Sequence, residues 1–265
     1  LRTMVIVCVA NIILDIVLSL YTPLRFQGIA VATAISLCLG SFLNALSMRR
    51  LVPSPLRFSS ALLKKILSIS WPAAMLQILW QLGSMTLFLI LSNLPVYNVE
   101  IMSAFTTGLM VESVIFLPAF AFNMANAVVV GNLLGKKQND DAFGAGIVTA
   151  VTGVLIVSVL SLLIIFNARF IVSLLSKNVL VIDYAVAYLT ITLLLEPIMA
   201  LGVILGGALN GAGDTKTVMR IVGSGVWLVR IPLCYFLGLH CKLGTIAIWW
   251  SMNASVVFQC IFMVR

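Results

Sequence analysis

The chain has 265 residues, 62% of them hydrophobic and 9% charged, with a formal net charge of +8. Soluble domains carry about 25% charged residues, so this composition excludes a water-soluble fold. The apolar residues run in blocks of about 18–25 rather than alternating over short segments, which predicts spanning helices and argues against a barrel. The expected fold class is all-α, a polytopic helical membrane protein.

Eight spans are predicted, at 4–21, 28–48, 66–91, 100–130, 143–167, 184–209, 217–238 and 244–264. The first opens directly from Leu1, without a basic leader or small-residue cleavage site. The expectation is that an N-terminal part of a longer protein precedes it. Residues 49–65 form the long connector. They hold Arg49, Arg50, Arg57, Lys64 and Lys65 with Pro53 and Pro55, so no span passes through them.

In the third span Gln77, Gln81 and Ser84 fall at i, i+4 and i+7, on one face. In the fourth, Glu112 lies about 12 residues in, ~18 Å deep at 1.5 Å per residue. Asn123 and Asn126 follow close to its face, so one stripe carries a carboxylate and two amides. Such a stripe suits a cavity lining or a cation or proton site. The sixth span places Glu196 at a similar depth, with Thr192 and Val203 on its face. Pro197 follows it and removes a backbone donor, so a bend is expected there. Freed carbonyls beside a carboxylate suit cation coordination.

Between the sixth and seventh spans stands Leu209-Asn210-Gly211-Ala212-Gly213-Asp214-Thr215-Lys216-Thr217. The glycines allow the helix to end and the chain to reverse, and Asp214 or Thr215 can cap the next helix. Gly202, Gly206, Gly207 and Gly211 make two overlapping GxxxG patterns, a close-packing signature. Arg230 lies within the seventh span.

Sidedness follows from the basic residues. Arg2, Arg49, Arg50, Arg57, Lys64, Lys65, Lys136, Lys137, Lys216, Arg220 and Arg265 fall on one side, against Arg25, Arg169, Lys177 and Lys242 on the other. Both chain ends, the Arg49–Lys65 linker and the 210–216 turn are therefore expected to be cytoplasmic, in a plasma (inner) membrane protein. The positive charge is topological and attracts lipid headgroups, so no nucleic-acid partner is expected. Cys8, Cys38, Cys234, Cys241 and Cys260 are scattered, with no CxxC pair, and read as packing residues. The one histidine, His240, falls in a predicted loop, which argues against a histidine metal site or catalytic triad. No catalytic residue and no enzyme activity are expected. Gly131–Lys137 is one residue short of a phosphate loop and lacks Ser or Thr after its lysines, so ATP is not an expected ligand.

An offset of 215 residues aligns Met4 with Met219 and Asp15 with Arg230. In each copy a span, a short outer loop and a glycine follow in order. This internal repeat divides the chain into 1–48, the last two spans of one lobe; 49–65, the inter-lobe linker; and 66–265, a complete second lobe of six spans. Two six-span lobes related by an axis along the membrane normal are a known transporter arrangement. Asp15 and Arg230 then become gate or structural candidates with Pro197, each pairing within its own lobe or lining an outer gate.

Specific residues carry a resemblance. Gly211-Ala212-Gly213-Asp214-Thr215-Lys216 followed by Trp227-Leu228-Val229-Arg230-Ile231-Pro232 resembles the tenth and eleventh helices of MATE (multidrug and toxic compound extrusion) transporters. Val111–Phe122 through Val130–Gly135 is similar to the eighth helix and the loop after it, and Ser70-Trp71-Pro72-Ala73 to the start of the seventh. Asn11, Asp15 and Gly28–Thr33 fit the fifth and sixth. The resemblance implies a twelve-helix exporter of two six-helix lobes, driven by an inward sodium or proton gradient. The chain departs from many members at Trp80, where they carry an acid, and near Met199, where the tenth helix has its best-known acid.

The function expected is secondary active multidrug efflux: antiport of organic cations or amphipathic xenobiotics against Na+ or H+. Its substrate and cation candidates are Glu112, Glu196, Gln77, Gln81, Asn123 and Asn126, with Na+ at Glu112 or Glu196 if sodium is the ion. The alternative is a lipid-linked oligosaccharide flippase of the same superfamily, which would need a more basic cavity. No cofactor is expected beyond the coupling ion. The expected partners are the lipid bilayer and small drugs, and the intact protein is expected to be monomeric.

Overall fold

The computed structural model describes residues 2–23, 26–49, 59–241 and 243–265. Eight helices among the described residues are long and apolar enough to cross a membrane. They are α1 (Arg2–Leu20), α2 (Phe26–Arg49), α3 (Ser60–Ser92), α4 (Asn98–Gly135), α5 (Asn139–Leu175), α6 (Val179–Gly211), α7 (Thr215–His240) and α8 (Thr245–Val264). Each predicted span falls on one of them. The helices overrun the predicted spans because ends carrying Asn, Asp, Lys or Gly still wind as helix in the headgroup region. At 1.5 Å per residue the 38-residue α4 is about 57 Å long, against a hydrocarbon core of ~30 Å. Lys64 and Lys65, expected in the linker, lie in the second turn of α3. The linker's middle, 50–58, lies outside the described residues, as do Leu24, Arg25 and Lys242.

The chain forms two compact units, Leu1–Ser60 and Ala61–Arg265. In the first, α1 and α2 pack as an antiparallel hairpin. A Cβ at Gly28 would stand 2.6 Å from the Leu18 carbonyl oxygen, and one at Gly40 would stand 2.7 Å from Val7 Cγ2. Asp15 is half-buried. Its Oδ1 and the Asn11 Nδ2 are enclosed without a hydrogen-bond partner among the described residues.

In the second unit α4, α5 and α6 pack against one another, α6 also packs on α8, and α7 lies along α8. The GxxxG face of α6 explains the closest approach. A Cβ at Gly207 would collide with the Asn123 carbonyl, and one at Gly211 with the Ala127 carbonyl, so the two backbones touch. Asn123 and Asn126 clamp the same contact. The Asn123 Nδ2 donates to the Val203 carbonyl at 2.6 Å, and the Asn126 Nδ2 to the Ile204 carbonyl at 3.0 Å. α3 is held to α7 by Thr215 Oγ1 donating to the Ile69 carbonyl at 2.9 Å and Trp227 Nε1 donating to the Leu79 carbonyl at 3.2 Å.

The turn after α6 forms as its residues require. The helix ends at Gly211, Gly213 takes φ +87°, and Asp214 Oδ1 accepts from the Thr217 backbone N–H at 3.2 Å. α6 runs through Pro197 as one helix, and the Leu193 carbonyl, four residues back, loses its usual donor there. One feature departs from expectation. α7 is not a plain α-helix: Gly225–Arg230 and Cys234–His240 are wound as π-helix, with Ile231–Leu233 an α turn between them. Pro232, which offers no N–H, sits in that short turn. His240 thus belongs to a helix end rather than a loop, stacked on Phe236.

Candidate substrate and cation site

The polar core of the second unit is built on aromatic packing. Phe88, Phe105, Tyr188 and Trp249 form one cluster: Phe105 stacks on Trp249 at 5.6 Å and meets Tyr188 edge-on at 5.3 Å. Tyr188 is 1% exposed, and a Cβ at Gly108 would strike its ring. The ring is therefore fixed, and its hydroxyl donates to Glu112 Oε2 at 2.5 Å. Glu112 on α4 is within electrostatic reach of both Glu196 on α6 and Arg230 on α7.

Glu196 is 1% exposed. Its Oε1 has no hydrogen-bond partner among the described residues, and neither does Thr192 Oγ1, one turn away on the same helix face. A buried polar atom without a partner is costly, so the Glu196 carboxyl and the Thr192 hydroxyl make a polar corner with unmet hydrogen-bonding capacity. Such a corner can take a proton or a hard cation, which prefers oxygen ligands. Among the described residues no three His, Cys, Asp or Glu side chains gather as a metal-ligand set. A cation here would draw on the Glu196 carboxylate and the Thr192 hydroxyl.

Beside this corner lies a cavity of about 290 Å³ between α3, α4, α6, α7 and α8. Trp80, Phe116, Phe120 and Met199 give it apolar walls. Its polar lining includes Asn123, Asn210, Gln259 and Arg230, the last being the only charged lining residue among those described. Arg230 is buried, with Nε donating to Ser255 Oγ at 3.0 Å and its guanidinium carbon 5.1 Å from the centre of the Trp80 ring. Its bond to Ser255 lies within the second unit.

The predicted residues thus separate into three groups. Glu112 and Glu196 lie within electrostatic reach of each other and are not among the residues lining the cavity. Asn123 lines the cavity, but Asn126 does not; it is fully buried against α5 and α6, with Gly146 and Ile204 carbonyls as acceptors. Gln77 and Gln81 are exposed on α3, because the residue of that turn facing the cavity is Trp80. Tyr188, Ser255, Trp249 and Gln259 were not anticipated. The signal for Tyr188 was its place two turns before Glu196, the one aromatic residue in a stretch of Leu, Ile and Thr.

Eight helices long and apolar enough to cross a membrane, with a cavity among five of them, define a polytopic helical membrane protein. The chain belongs to the MatE family, whose family model matches residues 72–236. It is 29% identical over 251 residues to "Multidrug resistance protein NorM" of Burkholderia vietnamiensis, covering 91% of this chain and 54% of that protein. It is 33% identical over 153 residues to "Probable multidrug resistance protein NorM" of Bradyrhizobium diazoefficiens, covering 56% and 33%. Among solved structures, a MOP superfamily transporter from Pyrococcus furiosus superposes with a TM-score of 0.89 at 17% identity, over 99% of this chain and 60% of that one. That likeness shows the fold. The chain spans about half the length of the curated relatives it matches.

Proposed function

We propose that the chain supplies the C-terminal six-helix lobe, and two spans of the N-terminal lobe, of a secondary active multidrug exporter. Organic cations or amphipathic drugs leave by antiport against Na+ or H+. The observation that carries this is buried Glu196 on α6 within electrostatic reach of half-buried Glu112 on neighbouring α4, with Glu196 Oε1 and Thr192 Oγ1 lacking partners among the described residues. Two carboxylates within each other's field are poorly stable when both are ionised, so the pair binds a proton or a metal cation. Binding there changes the charge behind the cavity and the packing of α4 on α6. An ion and a drug that favour different arrangements of one lobe are linked, so that one gradient drives the other. The basic-residue bias gives the cytoplasmic side to residues 49–65 and 210–216. The plasma membrane and a monomeric state belong to the same proposal. A lipid-linked saccharide flippase remains the second reading, favoured only by Arg230 in the cavity wall.

The test is uptake of a cationic dye into everted vesicles carrying the full-length protein, under an imposed sodium or pH gradient. Gradient-driven uptake that is lost in Glu196→Gln or Glu112→Gln is expected. Uptake unchanged in both folded variants would remove the carboxylate pair from the mechanism. No uptake with either ion would favour the flippase.

A further inference from the structure

We propose that the cavity of this lobe binds the anionic head of an amphipathic molecule on Arg230: a carboxylate, sulfonate or phosphate joined to an apolar or aromatic body. Of the two drug classes in the exporter proposal above, this assigns the amphipathic one, in anionic form, to the cavity of this lobe, and the binding itself holds whichever ion drives transport.

Arg230 lines the cavity while being only 9% exposed. One edge of its guanidinium is fixed by Ser255 Oγ, and one face is covered by Trp80. Among the described residues its Nη1 and Nη2 make no hydrogen bond, and no carboxylate lies within the 4.0 Å of an ion pair. The acidic side chain within its electrostatic reach is Glu112, and Glu112 already accepts from Tyr188. Arg230 is thus oriented by its neighbours but not neutralised by contact, in a wall that is otherwise uncharged among the described residues. A buried guanidinium presents a fork of donors matched to two oxygens of one anionic group.

A second side chain points to the same ligand. Gln259 stands one helical turn beyond Ser255 on α8 and lines the same cavity. Its Nε2 is buried without a partner among the described residues. It occupies room left by Gly225, where a Cβ would strike the Gln259 side chain. The unpaired donors are therefore two guanidinium nitrogens in the cavity wall and one amide nitrogen enclosed against Gly225, carried on two facing helices. The remaining wall, with Trp80, Phe116, Phe120 and Met199, fits an aromatic or acyl body. An unaccompanied quaternary ammonium would meet Arg230 as a like charge.

The source of the anion is either a soluble organic acid or the headgroup of an anionic lipid, and two arms distinguish them. In the first, full-length protein in phosphatidylcholine nanodiscs is titrated with 2-naphthoate by calorimetry. The trimethyl(2-naphthylmethyl)ammonium cation serves as the isosteric opposite. In the second, discs doped with phosphatidylglycerol are analysed by native mass spectrometry for retained lipid. The expected result is saturable binding of naphthoate, or retention of phosphatidylglycerol. Arg230→Gln should weaken either at least tenfold, Arg230→Lys less, and Gln259→Leu several-fold, while the cation does not compete. Gln259→Leu leaves Arg230 and Ser255 in place, so it carries the test if Arg230→Gln does not fold. The proposal is overturned if wild type binds neither anion, if folded Arg230→Gln or Gln259→Leu binds as wild type does, or if the cation binds more tightly than naphthoate. Because this is equilibrium binding, its failure is separate from any failure of gradient-driven transport.

Discussion

Gly206 and Gly207 are neighbours on α6 with opposite surroundings, and replacing each by alanine tests how the lobe is held together. A Cβ at Gly207 would collide with the Asn123 carbonyl oxygen and stand 2.8 Å from its carbonyl carbon. Both are backbone atoms and cannot rotate away. Restoring ordinary contact near 3.5 Å requires α4 and α6 to separate by about 1 Å. The Asn123–Val203 and Asn126–Ile204 bonds, at 2.6 and 3.0 Å, would then stretch beyond useful length. Overpacking costs about 1–3 kcal/mol, and each interhelical hydrogen bond about 0.6 kcal/mol in a membrane protein. The sum is about 2–4 kcal/mol, or roughly 30- to 1,000-fold in the folding equilibrium. At Gly206 the added Cβ meets only side-chain atoms at ordinary contact distance, Met263 Cε at 3.5 Å and Val218 Cγ1 at 3.8 Å. Both changes gain the same alanine helix propensity of about 1 kcal/mol, so it cancels between them. Unfolding by sodium dodecyl sulfate in mixed micelles measures the difference. Gly207→Ala within 0.5 kcal/mol of Gly206→Ala, an order-of-magnitude margin, would refute backbone contact as the basis of the α4–α6 interface.

Two further outcomes follow from named contacts. Asp214→Ala removes the cap on α7 and should cost about 0.5–2 kcal/mol, whereas Asp214→Asn keeps an acceptor for the Thr217 N–H and should cost little; denaturant midpoints decide between them. Tyr188→Phe and Glu112→Gln should be non-additive, with a coupling of about 1–3 kcal/mol for a buried hydrogen bond to an acid. Additive stability effects would mean that the Tyr188 hydroxyl does not hold Glu112.

The positions of the helices were legible because each span is a block of apolar residues bounded by glycine, proline or charge. The turn at Gly211–Asp214 was legible down to its capping residue. The site was legible in part. Glu112 and Glu196 stand out because an acid in an apolar run is rare, but the bond from Tyr188 to Glu112 depends on how α4 packs on α6. No spacing within either helix contains that packing. Tyr188 itself is camouflaged, since an aromatic residue in a membrane helix reads as lipid-facing until its neighbours Phe105 and Trp249 are known. The amides of α4 misled differently. Asn123 and Asn126 share a stripe with Glu112, yet their nitrogens go to α6 carbonyls that no pattern in α4 foretells. The Gln77–Gln81 stripe has the right periodicity on α3, but Trp80, between them in sequence, is the side chain turned to the cavity.

The π-wound turns of α7 give that helix slack in its length. A π turn closes with a hydrogen bond from i to i+5, one residue more than an α turn, so Gly225–Arg230 and Cys234–His240 store surplus residues inside a continuous span. Each π-wound residue turns the chain through less than the ~100° of an α-wound one. Deleting one between Gly225 and Arg230 would let the segment relax to α-helix, and the larger turn per residue would make up for the loss. Cys234, fully buried, and Gly238, against Ile248 of α8, would keep close to their present facing. The same deletion in the α-wound stretch Thr215–Ser224 would instead turn everything beyond it by about 100°. Natural length variation in the family should therefore be tolerated at the two π segments and in the connectors, and be sparse where α7 is plain α-helix.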